Sequence, residues 1–384
     1  MSSPTIYSVT SYGDMITNQP RMPAYAEALR QAVKPGCTVI DIGAGTGIFS
    51  LLACQYGAGA VTAIEPADAL MLLRETAAAN GYTERINMVQ GLSTEHVPAQ
   101  KADVIVSDIR GCLPLFEQHI ATICDARERL LAPGGKLIPM RDILFAALAQ
   151  YPEGYQACEE PWQKNDYGLD LQAGHRYAVN SWSKANLQPE QLLSAAAELA
   201  VLDYRSITEP NMAGTVSLQA ERDGTAHGLL IWFDADLAPG IGFSNAPGQP
   251  KLVYGQAFFP FEQALTLTKG DRIEAAIRAN LVDGSYVWSW TSRLFRGAAD
   301  KPELTLRQSS FLAQVMSPEA LARRAHTHVP TPSPAHATDL LALSLMDGKR
   351  SLGEIASTLQ ERFPERFKDN AAALNHVAAL AGKY

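Results

Sequence analysis

The sequence has no excess of basic residues: 32 Lys and Arg against 40 Asp and Glu leave a net charge of −8. Without a basic stripe to neutralise phosphates, a general nucleic-acid-binding role is excluded. No apolar run approaches membrane-spanning length, and no charged-then-apolar segment stands at the N-terminus, so a cytoplasmic location without a membrane partner is expected. Cysteine is scarce, with Cys37, Cys54, Cys112, Cys124 and Cys158 all in the first half and no C-x-x-C pair. These read as buried or incidental thiols of a reducing compartment, not as disulfides or a zinc site. The 8 histidines form no metal-ligand spacing either, so no metal is expected. What remains is ordinary for a globular protein, 47% apolar and 19% charged, and 384 residues suffice for more than one domain.

The most informative segment runs Val-Ile-Asp-Ile-Gly-Ala-Gly-Thr-Gly from Val39 to Gly47, with Ala-Ile-Glu65 about one helix later. An apolar strand enters a glycine turn and then a helix, whose first N–H groups lack intrahelical partners and suit an anionic or polar ligand. Glu65 closes the next strand, where a carboxylate can accept both hydroxyls of a ribose. Gly43, Gly45 and Gly47 are spaced Gly-x-Gly-x-Gly instead of the dinucleotide Gly-x-Gly-x-x-Gly. With Asp41 two residues earlier, the pattern resembles the class I S-adenosylmethionine methyltransferases, which makes S-adenosyl-L-methionine the expected cofactor.

From about residue 22 to 145, strands alternate with helices, which implies a parallel sheet covered on both faces. Ligands in such sheets sit outside the strands' carboxyl ends, where Glu65 and Asp108 both fall. After Pro139 the texture becomes a series of short strands with turn chemistry between them, as expected of a β-barrel or sandwich. Thr327 to Ala337, with Pro330, Pro332 and Pro334, reads as a stiff linker. Thr338 to Tyr384 reads as helical, with Asp347-Gly348 as a turn and a capping box from Ser351 to Glu354. The expected division is therefore 1–145, a Rossmann-like α/β domain; 146–310, a β-barrel domain; 311–337, a linker; and 338–384, a small helical module.

The strand Val104 to Ser107 opens into Asp108-Ile109-Arg110-Gly111-Cys112-Leu113-Pro114-Leu115-Phe116-Glu117. Two carboxylates flanking a Gly/Pro loop on the cofactor rim could clamp a planar cation with several donors, for which guanidinium is the natural candidate. The plainer alternative makes Asp108 a loop cap and Glu117 a solvated residue at a helix start. Arg110, between them, could neutralise either one. Trp288 and Trp290 share one face of a strand and suit a barrel core better than a substrate wall.

The chain resembles the protein arginine methyltransferase family from about residue 6 to 300. Met15 to Arg21 with Ala24-Tyr25 is similar to the segment that folds over the cofactor, which implies that Met15 is a cofactor contact and that Arg21 meets the methionine carboxylate. Asp41 to Gly47 and Glu65 match the cofactor motifs. Gly91 to Val97 resembles the adenine-side loop, which implies Ser93 and Thr94 beside the base. Ser107 to Glu117 resembles the double-glutamate hairpin, which implies that Asp108 and Glu117 are catalytic. Lys164-Asn165-Asp166-Tyr167-Gly168-Leu169-Asp170 is similar to the start of a dimerisation arm, expected over about 155–190, and implies a homodimer. Gly242-Phe243-Ser244, Pro247, Gln256 to Phe261 and Lys269-Gly270-Asp271 follow the family's barrel, with Tyr254 and Gln256 as candidates to contact substrate.

Two positions depart from the family pattern. Asp108 stands where a glutamate is usual, and the loop that carries Thr-His-Trp reads Leu252-Val253-Tyr254. The last segment, from Leu345 to Ala356 and on to Ala371–Ala381, resembles PqqD-like modules, which implies a peptide as candidate partner. The expected function is methylation of a guanidino group in a peptide or small molecule. Methylation of another N or O nucleophile of a small metabolite, or a non-catalytic cofactor-binding scaffold, are the alternatives.

Overall fold

The computed structural model describes residues 7–164, 166–331 and 333–383; Asn165 of the arm signature, Pro332 of the linker and Tyr384 lie outside them. Two compact units result, one through Val315 and one from Met316. The first begins with helices α1 (Val9–Thr17) and α2 (Arg21–Ala32), then β1 (Thr38–Ile42), α3 (Ile48–Gln55), β2 (Ala60–Glu65), α4 (Leu70–Ala79) and β3 (Ile86–Gln90). β4 (Ala102–Ser107), α5 (His119–Asp125) and β5 (Leu131–Ile138) complete the α/β half. The five strands are parallel in the order β3-β2-β1-β4-β5. The order reverses between β1 and β4, and this switch point is where an open parallel sheet leaves a crevice for a ligand. Ile42 pairs with Ser107, so the glycine turn and the acidic hairpin leave the sheet side by side.

The rest of the first unit is antiparallel. β6 (Arg141–Ala149) leads to helices α6 (Pro152–Gln163) and α7 (Ala173–Ala178), followed by β7 (Ser183–Ala185) and β8 (Ala197–Asp203). Then come β9 (Met212–Gln219), β10 (Gly224–Ala238), β11 (Ile241–Ser244), β12 (Gln256–Leu267), β13 (Arg272–Val282), β14 (Ser285–Phe295) and β15 (Leu304–Ser309). They form one sheet in the order β7-β12-β10-β6-β8, with β11 on β10, and another in the order β15-β14-β13-β9. The expected barrel is corrected to these two facing sheets. β8 lies alongside β9 and β12 alongside β15, yet no ladder joins them among the described strands. Closure needs continuous edge pairing with a matched stagger, and only an isolated bridge from Ser194 to Ala220 crosses here. Trp288 and Trp290 are buried in this core, the Trp290 indole donating to Gln308 Oε1 at 3.0 Å. One apolar core runs from Met22 to Leu306 through both halves.

The helices α6 and α7 pack on each other across the predicted arm. Pro189–Gln191 form a single 3-10 turn, and Ala197 already begins a strand. In the second unit, helix α8 (Pro318–Arg324) occupies part of the expected linker, and α9 (Pro334–Leu345), α10 (Leu352–Arg362) and α11 (Asn370–Ala381) enclose a core of their own around Ile355, Leu359, Phe367 and Val377. The capping box is present, Ser351 N–H donating to Glu354 Oε2 at 2.8 Å. No strand occurs among the described residues of this unit, so a peptide strand has no sheet edge to extend there, and the expected peptide partner at this module has no support. No helix among the described residues is long and apolar enough to cross a membrane.

Candidate active site

The glycine turn leaves β1 with Gly43, Gly45 and Gly47 at φ of 70°, 53° and 80°, a region that glycine enters without penalty. A Cβ on Gly45 would stand 2.7 Å from Tyr12 Cε1, and one on Gly47 would collide with the Leu73 side chain. The turn is therefore pressed between α4 below and the cover helix α1 above. Glu65 accepts the Gly45 N–H at 2.8 Å and the Ala67 N–H at 2.9 Å, which fixes its carboxylate at the rim. Asp41 is fully buried; its Oδ2 accepts the Ser50 N–H at 3.0 Å and hydroxyl at 2.8 Å, while Oδ1 has no partner among the described residues. Burial outweighs the Ser50 bonds and pushes the Asp41 carboxyl up to about 7. Ser93 is buried and Thr94 exposed, in a loop whose Ser93 carbonyl accepts from Arg129 Nη2 at 2.6 Å. Arg129 is itself held by Asp125 at 2.8 Å, an anchor that the sequence pattern did not single out.

A cofactor with a ribose and a charged tail fits this cradle. A carboxylate stands at the end of β2, N–H groups open α3, the glycines keep the turn clear of side chains, and a buried aspartate oxygen lacks a partner.

Beside it, the hairpin from Asp108 to Glu117 leaves β4. Asp108 has a 5% exposed side chain and is encircled. Arg21 reaches Oδ2 through Nη2 at 2.5 Å and Nε at 2.6 Å, and the Tyr254 hydroxyl donates to the same oxygen at 2.5 Å. Arg110 Nε donates to Oδ1 at 3.1 Å. Burial works to raise the Asp108 carboxyl, but the two guanidiniums and the tyrosine override it and hold it at about 2. Arg21 also donates to the Met15 carbonyl at 2.9 Å, which ties α1 to the site.

Arg110 is the member of the hairpin that sequence spacing valued least. Its Nη1 donates to Asp142 Oδ1 at 2.7 Å and its Nη2 to the Tyr25 hydroxyl at 2.5 Å. Its guanidinium lies 5.3–5.8 Å from the ring centres of Tyr25, Phe233, Phe243 and Tyr254. Such a cage favours a cation. Asp142 Oδ2 accepts the Tyr204 hydroxyl at 2.6 Å, and Tyr204 in turn meets His119 Nε2 at 3.0 Å.

Glu117 ends the hairpin differently. It is half-buried, has no hydrogen bond among the described residues, and sits at φ 42°, one of only two described non-glycine residues with positive φ. Backbone strain of this kind on a non-glycine residue is uncommon and clusters at functional sites. Gly111 makes the hairpin compact, since a Cβ there would lie 2.5 Å from Phe116 Cδ2. Burial, then Glu117, then Asp108 raise the Tyr7 phenol, so one ring in the cover segment senses both carboxylates.

One expected site residue is engaged elsewhere. Gln256 is consumed by the backbone, its Oε1 accepting the Leu187 N–H at 2.8 Å and its Nε2 donating to the Asn245 carbonyl at 2.9 Å. The loop lacking the family histidine makes a neutral contact instead: the Val253 N–H donates to Asn18 Oδ1 at 3.4 Å. A cleft of about 320 Å³ lies there, lined by Asp14, Asn18, Lys251 and Val253 among others.

Comparison with known proteins bears on both halves of the first unit. Residues 142–287 match the family profile described as the arginine methyltransferase oligomerization subdomain, and residues 25–140 match that of the ribosomal protein L11 methyltransferase. Protein arginine N-methyltransferase 1 of Dictyostelium discoideum is 26% identical over 71% of this chain and 84% of its own length. An arginine N(omega)-methyltransferase of Streptomyces achromogenes subsp. streptozoticus is 29% identical over 67% of this chain and 73% of its own. In fold, the Trypanosoma brucei PRMT1 enzyme-prozyme heterotetrameric complex with AdoHcy superposes with a TM-score of 0.72 at 22% identity, covering 78% of this chain and 97% of that one. In both halves of its first unit the chain is thus similar to S-adenosylmethionine-dependent methyltransferases, and along most of its length to the protein arginine methyltransferases.

Proposed function

We propose that this enzyme transfers the methyl group of S-adenosylmethionine to a nitrogen of a guanidino group, in a peptide or a small molecule, and works as a homodimer. The observation that carries the reading is Glu117, a carboxylate without a hydrogen-bond partner among the described residues, held on a left-handed backbone at the switch point beside the glycine cradle. When bound, the cofactor supplies an electrophilic methyl, so the protein's task is mainly to bring a nitrogen into line with it. Glu65, the N–H groups opening α3, Ser93 and Arg21 would hold the cofactor. Glu117 would accept two N–H bonds from the acceptor guanidinium and draw its positive charge toward the carboxylate, leaving lone-pair character on the far nitrogen. The acceptor, with a pKa above ~12, keeps its proton through binding and releases it as the new bond forms. Asp108 stands on the other side of the hairpin with its charge already shared by Arg21 and Arg110.

That sharing supports a second reading, in which the acceptor is a neutral nitrogen or oxygen nucleophile and needs only Glu117 as its carboxylate. Labelled S-adenosylmethionine offered with free arginine, arginine peptides, guanidino metabolites and simple amines distinguishes the two by mass spectrometry. Label on a guanidino nitrogen, lost in Glu117→Gln, bears out the first reading. Label only on a non-guanidino acceptor overturns it. The homodimer is supported by the match to an oligomerization subdomain and by α6 and α7, which flank the exposed Leu169 of the arm.

A further inference from the structure

We propose that Arg110 and Asp142 form a positioning pair: together they hold Asp108 rigidly against Arg21 and Tyr254, and through Tyr204 and His119 they set the turn that carries Glu117. The inference rests on the guanidino-methylation reading and assigns its two carboxylates unequal tasks.

The pair is a continuous chain of matched donors and acceptors. Tyr204 has one hydroxyl proton, and the 2.6 Å contact gives it to Asp142 Oδ2, which only accepts. His119 must then donate from Nε2 to the Tyr204 oxygen, which leaves Nδ1 without a proton and, among the described residues, without a partner. Burial first, and Arg110 second, keep this imidazole neutral, with its pKa down at about 3. From Asp142 Oδ1 the chain passes to Arg110 Nη1 and from Arg110 Nε to Asp108 Oδ1. Every side chain along it is at least nine-tenths buried.

The two ends matter. One is Asp108 itself; the other is His119, the first residue of α5 and two positions beyond Glu117. Glu117 has left-handed backbone and, among the described residues, no side-chain bond of its own, so its direction is set by what pins the residues around it. The chain spans the hairpin from below and ties both ends to β6 and the segment after β8 in the neighbouring sheet. Charge counting explains the division of labour. Arg21 and Arg110 balance Asp108 and Asp142, so the buried quartet is neutral and Glu117 is the carboxylate left over for an incoming cation. An aspartate at position 108 is too short to reach far from β4, and two arginines pull it inward.

The test measures methylation kinetics, equilibrium binding of S-adenosylhomocysteine and thermal unfolding on the full chain. Asp142→Asn keeps the shape of the side chain and removes its charge; Tyr204→Phe removes a single hydroxyl and serves if the first variant folds poorly. For both, affinity for S-adenosylhomocysteine should stay within about twofold. kcat per folded enzyme should fall at least ~10-fold for Asp142→Asn and ~3-fold for Tyr204→Phe, because transition-state geometry is degraded while the cofactor cradle is not. Arg110→Lys should lower kcat at least as far as Asp142→Asn does, since one ammonium cannot serve three partners in three directions. A core pair of purely structural value would lower the melting temperature and leave kcat per folded enzyme unchanged. Parental kcat in both Asp142→Asn and Tyr204→Phe overturns the positioning pair alone. A parental enzyme that methylates no guanidino acceptor overturns the functional reading, and this inference with it.

Discussion

Asp41 gives the sharpest physical prediction. Its carboxyl is fully buried, carries one oxygen without a partner among the described residues, and is pushed up to about 7 in the fold by burial, against 3.8 in an unfolded chain. Between those two values the folded protein keeps a proton that the unfolded chain has lost, so stability falls as pH rises. The loss is ~1.4 kcal/mol per pH unit, about 4 kcal/mol in all by pH 7, and more than half of it develops above pH 5. Above the folded value the full cost of a buried charge remains. Asp41→Asn keeps acceptors for the Ser50 N–H and hydroxyl and cannot ionise. The variant should match the parent only below about pH 4, exceed it by about 2 kcal/mol at pH 5 and by about 4 kcal/mol at pH 8, as measured by urea unfolding without cofactor. His119, held neutral, contributes an opposite slope below pH 6.5 that is common to both proteins and cancels in the difference. Parallel pH profiles for parent and variant would refute the argument, since they would show that Asp41 titrates alike folded and unfolded.

Three further outcomes are expected. Glu117→Gln should lower kcat ~10²–10³-fold, the size of losing one strong electrostatic contact in the transition state, with S-adenosylhomocysteine affinity unchanged by calorimetry. Gly45→Ala, which puts a methyl 2.7 Å from Tyr12 at φ 53°, should weaken cofactor binding at least ~10-fold in the same assay. Leu169→Glu with Leu171→Glu, on the exposed arm, should convert dimer to monomer by sedimentation; an unchanged sedimentation coefficient would place the interface elsewhere.

The parts of the site that were legible in the sequence are those fixed by local geometry. Asp41, the three glycines and Glu65 lie within 25 residues, and each glycine announces a backbone angle that side chains avoid. The capping box at Ser351 and the turn at Gly348 were legible for the same reason. The cage around Arg110 was not. Asp142 is 32 positions away, and Tyr254 meets Asp108 across 146, so no spacing rule joins them. Gln256 looked available as a substrate contact because sequence shows the amide and not the backbone groups that occupy it. Helix α6 escaped because Tyr155 is its one buried residue, which leaves no apolar stripe to count. The barrel expectation failed at the edges: strand pattern tells which face is buried, not whether the last strand finds the first.

The cage also bears on what the enzyme must refuse. A catalyst for guanidinium methylation that carries Arg21 and Arg110 beside its own methyl donor holds two decoy substrates at high local concentration. Arg110 is withheld by saturation: each of its three nitrogens is committed, to Asp108, Asp142 and Tyr25, and its side chain has no exposed surface. A nitrogen so bound presents no free lone pair and cannot turn toward the methyl without breaking a buried ion pair. Protection from self-modification is thus written into the same contacts that shape the pocket.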